Sequence, residues 1–256
     1  MTKIIYVDIG THFGQEFNSL FGGQWSFYLK IAKRLAGYYL FSRAEKLSLI
    51  DIIDLNRVRR QVKKVEEDFL FYFVEANSNI ISHCKVYNKA HGVFNCALTD
   101  ESSLNITKLF LANGDTLSQG SSIFANKSNV STKDIVPTLG VPAKLFFNEF
   151  KKHIHKITDD YVVIIRLNCE GVEDSIIYAA HEIFKDNLVL TMGSLKDVKE
   201  CKGEAAYKKL ENFLRDNSLP FVFFSSSVHS WKKAHSSIKL LHNKKATPKR
   251  TDEKGK

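Results

Sequence analysis

The stretch Tyr6 to Glu16, YVDIGTHFGQE, constrains the fold of this 256-residue chain more than any other. Ile4, Ile5 and Val7 form a short β-branched apolar run of the kind found in a central strand buried on both faces. The run ends on Asp8; Gly10 and Gly14 follow, and Glu16 closes the turn. In open α/β sheets the ligand crevice lies outside the carboxyl ends of the strands, so Asp8 and the loop 10–14 are expected to face a small molecule. Glycine has a physical role there, because a backbone without Cβ can turn at positive φ and admit a ligand close to the main chain. Structural turns use glycine in the same way, so the spacing alone does not prove a site.

Phe69 to Val74, FLFYFV, reads as a second strand ending in Glu75, an acidic residue placed where it can accept ribose hydroxyls. Gly92 to Asp100 reads as a third strand, and Tyr161 to Leu167 as a fourth that ends in Asn168, Cys169, Glu170, Gly171, Val172 and Glu173. Residues 104–111 read as a strand or hairpin arm, and 114–131 as a polar, mobile loop. Helices are expected over 143–157, 172–184 and 204–214, with short strands at 188–192 and 220–224. This alternation predicts an α/β fold with a mostly parallel central sheet flanked by helices and joined by right-handed crossovers.

Four ordered blocks carry a family resemblance: Asp8 to Glu16, Phe73 to Asn77, Asn95 to Asp100 and Ile165 to Glu173. They resemble the blocks of FkbM-type methyltransferases, over about Lys3 to Met192. The resemblance implies a Rossmann-like class I methyltransferase fold, S-adenosylmethionine as cofactor and O-methylation of a hydroxyl on a small molecule or glycan precursor. It places Gly10 and Gly14 along the methionine part of the cofactor, with Asp8 and Glu16 holding that loop or reaching the sulfonium. Glu75 would bind the ribose, Ala97 and Leu98 would lie near the adenine, and Ser121 and Ser122 would contact the cofactor from the polar loop. In the last block the family usually reads lysine, apolar, aspartate; this chain has Arg166, Leu167 and Asn168. Arg166 keeps the positive charge, whereas Asn168 removes a carboxylate.

Methyl transfer to a hydroxyl requires alignment and removal of a proton. Glu170, at the mouth of the fourth strand, is the first candidate to orient or deprotonate the acceptor, directly or through a divalent ion. Arg166 and Asn168 stand beside it, though an asparagine amide cannot serve as a base and would hold a cation weakly. Glu173 also suits the start of a helix, where a carboxylate favours the dipole. His12 sits in the glycine loop and could touch cofactor or acceptor, but a solvated loop histidine is the plainer reading. His153 and His155, two apart on a helix, point to different faces, and no zinc site is expected.

Cys84, Cys96, Cys169 and Cys201 show no metal-ligand spacing, which suits a reducing, cytoplasmic setting. No apolar run reaches the roughly 18 residues that a membrane helix needs, and no signal peptide is expected. The net charge of +9 is uneven. Lys30 to Asp68 holds ten Lys/Arg against six Asp/Glu, and His242 to Lys256 six against two. The first of these segments lies within an insertion, about 20–68, expected to form two amphipathic helices that cover a sheet edge or make a lid or docking surface for an acidic glycan or lipid. One domain over 1–243 and a disordered basic tail over 244–256 complete the reading. Three function classes follow: a small-molecule or glycan O-methyltransferase, a nucleic-acid methyltransferase favoured only by charge, and an inert methyltransferase-like fold favoured by Asn168.

Overall fold

The computed structural model describes residues 2–41, 48–112, 117, 120–225 and 228–246. Its frame is a sheet of six parallel strands: β1 (Lys3–Ile9), β2 (Phe69–Val74), β3 (Gly92–Phe94), β7 (Tyr161–Leu167), β8 (Leu188–Gly193) and β9 (Phe221–Phe223). Their order across the sheet is β3-β2-β1-β7-β8-β9. Counting only these six, this is the doubly wound order 3-2-1-4-5-6. Its direction reverses between β1 and β7, the point at which such sheets bind ligands.

Alternation along β1 explains why the sheet is covered on both faces. Ile5, Val7 and Ile9 enter one apolar cluster with Phe147, Val163, Ile165 and Ile176, under helices α5 (Ala143–His155) and α6 (Glu173–Phe184). Ile4 and Tyr6 point the other way, into a cluster with Phe17, Phe21, Phe71, Ile164 and Trp231. That second face is roofed by α1 (Gln15–Phe21), α2 (Gln24–Phe41), α3 (Leu49–Lys63) and α9 (Val228–Ala246). The insertion therefore packs over a sheet face rather than an edge. The crossover out of β1 is not one long helix but the seven-residue α1, with α2 and α3 behind it. The helix α9, not foreseen from the sequence, continues through Lys244 to Ala246; the rest of the expected tail, 247–256, lies outside the described residues.

The expected third strand divides. Gly92–Phe94 stays in the main sheet, but the chain leaves it at Asn95, whose side-chain amide donates to the Glu75 carbonyl at 2.8 Å. Ala97–Thr99 then forms β4 of a second sheet, ordered β4-β6-β5, with β5 (Asn105–Ala112) and β6 (Val130–Pro142). The long strand β6 went unpredicted because it is polar and carries Pro137 within its span. It is tolerated because β4 pairs only with Gly140 to Pro142, so at Pro137 the strand has β5 alone beside it. Of the expected polar loop over 114–131, residues 120–129 contribute to the crevice and 130–131 begin β6; 114–116 and 118–119 lie outside the described residues. Among the described residues no helix is long and apolar enough to cross a membrane.

Candidate functional site

The register that pairs Asp8 with Arg166 across β1 and β7 builds the floor of the crevice. Both side chains lie on the α1 face of the sheet and are fully enclosed, and Arg166 Nη1 donates to Asp8 Oδ1 at 2.9 Å. Glu16, in the first turn of α1, reaches down to Arg166 Nη2 at 2.9 Å. Arg166 also donates to the Gly10 carbonyl at 2.8 Å. One guanidinium thus ties the first helix, the glycine loop and two strands together. Burial pushes Asp8 up to about 6 against the pull of Arg166.

The glycine loop needs its glycine. Gly10 has φ +72°, and a Cβ there would stand 2.0 Å from the Asn168 carbonyl oxygen. Gly10→Ala is therefore expected to lower stability by at least about 2 kcal/mol, because both backbone strain and the clash must be relieved by moving main chain. Urea unfolding checks this; an unchanged midpoint would mean that the loop and the β7 tip are not so close. Gly14, also left-handed, caps α1 against the Val86 side chain.

Above this floor lie two adjoining clefts. The first is narrow and lined mainly by apolar groups, among them Ile9, Ile80, Ala97, Leu98, Leu109 and Ile123, with Gly10 at its base. Glu75 is its buried carboxylate. Glu75 Oε2 accepts the His12 backbone N–H and Oε1 that of Asn77, each at 2.9 Å, leaving each oxygen a further lone pair. The second cleft, about 1060 Å³ and open, is polar: Glu16, Lys127, Asn129, Ser194, Asp197 and Glu200 line it. His12, Asn168 and Glu170 belong to both.

These three residues stand where the two clefts meet. His12 is not solvated: it is 6% exposed, and both ring nitrogens lie buried without a hydrogen-bond partner. Its Nδ1 is 3.9 Å from Glu75 Oε2 and its Nε2 3.8 Å from Glu170 Oε1, both beyond hydrogen-bond reach. Burial, aided by the Arg166 and Lys127 charges, lowers the His12 pKa from its ordinary 6.5 and outweighs Glu75 and Glu16, which favour the imidazolium. Its backbone sits at φ +49°, held by the Glu75 contact and by the Tyr87 hydroxyl, which donates to the His12 carbonyl at 2.8 Å.

Glu170 is also left-handed, at φ +63°. The Ser122 hydroxyl donates to its carbonyl at 2.7 Å. Its carboxylate pairs with the buried Lys127 ammonium, which reaches Asp197 Oδ1 at 3.2 Å as well. Glu173 braces the turn after β7: it is fully buried and accepts the backbone N–H groups of Cys169 and Gly171, each at 2.9 Å. Burial raises it to about 7 despite those bonds.

Of the residues singled out from the sequence, Gly10, Glu75, Ala97, Asn168 and Glu170 meet in the first cleft, and Glu16 joins Asn168 and Glu170 in the second. Arg166, expected beside Glu170 and Asn168, is instead buried below the crevice on the α1 face, paired with Asp8 and Glu16. Asp8, Gly14 and Ser122 likewise support the lining without joining it, whereas Ser121 does line the first cleft. Lys127 and Asp197 were missed; they come from the polar loop and from α7 (Lys196–Lys202), and no local motif marks them. Among the described residues no group of three or more His, Cys, Asp or Glu is arranged to hold a metal ion. No protein-family model, curated protein or solved structure matches this chain.

Proposed function

We propose that the protein is an S-adenosylmethionine-dependent O-methyltransferase acting on a hydroxyl of a small molecule or sugar. The observation that carries this reading is the carboxylate-rich cleft above the glycine loop: Glu16, Glu75, Glu170 and Asp197 outnumber the cations that face them. The strand order also suits a dinucleotide, and this is the second reading. A pyrophosphate, however, would meet Glu16 in the first turn of α1, and the Arg166 charge is already taken up by Asp8 and Glu16. A cationic sulfonium and ammonium suit that field. Nucleic acid is disfavoured on the same ground, since phosphates seek clustered Lys and Arg.

The residues fit such a cofactor. The apolar walls at Ala97, Leu98 and Ile123 offer an adenine slot, Glu75 has lone pairs for ribose hydroxyls, and the close approach of Gly10 to Asn168 leaves bare main chain at the cleft base. When bound, the cofactor would supply an electrophilic methyl group. The chain's own share is to seat the acceptor in the polar cleft and take its proton. Glu170 is already engaged by the Lys127 ammonium. His12, neutral and with unoccupied nitrogens at the junction of the clefts, is the better proton acceptor, with Glu170 orienting the hydroxyl or stabilising the imidazolium that forms.

Glu75→Ala is expected to weaken S-adenosylmethionine binding by at least about tenfold, because two hydrogen bonds to a charged acceptor are lost. Isothermal titration measures it, with circular dichroism to confirm folding. Equal affinity in a folded variant would remove Glu75 from the cofactor site.

A further inference from the structure

The insertion carries an outward surface that the crevice does not use. On α2, Phe27 and Ile31 are buried in the apolar cluster, Phe27 beside Trp231 of α9, yet Trp25, Leu29, Tyr39 and Leu40 are 60–83% exposed. At about 100° per residue these four fall within an arc of roughly 100° on the side away from Phe27 and Ile31. The exposed Ala32 and Ala36 lie between them, and Lys33 flanks the stripe. On α3, Leu55 and Val62 face the core, while Leu49, Ile50 and Ile53 are 58–78% exposed. These three also occupy an arc of about 100°, and the exposed Arg57, Arg60 and Lys64 continue it toward the end of the helix. Both helices therefore have two apolar stripes, one turned to the core and one to the outside.

We propose that the outward faces of α2 and α3 dock on an anionic lipid bilayer, lying on its surface. Lys33, Arg57, Arg60 and Lys64 are the exposed basic residues along these faces, whereas Arg59 is buried and Arg43 and Lys46 lie outside the described residues. A second copy of the chain would set these basic groups against themselves. A bilayer bearing anionic headgroups complements them, and it accepts Trp, Tyr, Leu and Ile side chains without demanding a matching shape. Apolar burial plus attraction to acidic headgroups are the two terms that hold a helix in such an interface. No described helix is long and apolar enough to span the bilayer, which restricts the contact to the surface.

Flotation of the full chain with vesicles tests this. With phosphatidylcholine containing about 30% phosphatidylglycerol the protein is expected to float, and to partition at least about tenfold less with phosphatidylcholine alone or on raising the salt. Leu40→Glu combined with Ile50→Glu should weaken the partition at least about tenfold at unchanged melting temperature, since both side chains are exposed. Lys33→Glu with Lys64→Glu should do the same. Of the two tryptophans only Trp25 is exposed, Trp231 being fully buried, so a blue shift on binding that disappears in Trp25→Phe would support the assignment. No flotation with the anionic vesicles would overturn it. So would equal flotation of the Leu40/Ile50 variant, which would place the contact elsewhere, for instance in the basic C-terminal residues. Sedimentation showing a dimer that the same variant disrupts, with no lipid binding, would replace the bilayer by a second copy.

Discussion

Replacing His12 with asparagine is expected to slow methyl transfer by about 10²- to 10⁴-fold while leaving S-adenosylmethionine affinity within a few-fold. Asparagine tolerates the left-handed backbone at this position and keeps the N–H that Glu75 accepts, so loop and ribose contact should survive. What is lost is a buried imidazole with two unpartnered nitrogens at the junction of the clefts. The pH profile separates this role from a structural one. Burial lowers the His12 pKa below 6.5, so the imidazole is neutral and able to take a proton at pH 7, and activity should fall only as pH drops below about 6.5 through the lowered value. In His12→Asn that acid limb should be absent from the residual rate. Equal rates in the two proteins would transfer the proton to another group, Glu170 first.

The largest stability effect is expected at Arg166. Arg166→Ala leaves Asp8, with no exposure, and the partly buried Glu16 without their cation; breaking a buried ion pair from one side costs about 3–5 kcal/mol. Protonation of Asp8 would soften the loss, since its folded pKa already stands near 6. The loss should therefore shrink at pH 5 and be partly restored in the double variant Arg166→Met with Asp8→Asn, which removes both buried charges. The guanidinium also holds the Gly10 carbonyl, so the single variant should weaken cofactor binding as well. Denaturant unfolding at pH 7 and pH 5 gives the comparison. A loss below about 1 kcal/mol at pH 7 would show that the pair is solvated rather than enclosed.

Much of the frame could be read from residues because parallel strands buried on both faces are continuous apolar runs. KIIYVDI, FLFYFV and YVVIIRL each became a strand, and the polar residues after them gathered at one end of the sheet. Elements that depend on tertiary partners were not legible. The chain crosses between sheets at Asn95 through hydrogen bonds to Glu75 and Ala76 carbonyls, which no local pattern announces. In α9 the buried Trp231, Ala234, His235 and Ile238 are interleaved with Lys and Ser, so its apolar stripe is thin.

The site divides in the same way. Gly10, Glu75 and Glu170 could be placed because strand tips carry them into the crevice. The position of Arg166 is not legible from its neighbours in sequence, because strand parity decides which face a side chain takes; it follows Asp8 to the α1 side. Sequence alone marks His12 only as a loop residue, because the walls that bury it come from residues 75, 87 and 170. Lys127 and Asp197 meet Glu170 across the polar cleft only after the second sheet and α7 have folded around it.

The most direct test of the central claim is a calorimetric titration of the purified chain with S-adenosylmethionine, and separately with a nicotinamide dinucleotide. A cleft of carboxylates around a glycine loop predicts one site per chain for the sulfonium cofactor and none for the dinucleotide. Heat from the dinucleotide alone, or from neither, would contradict it.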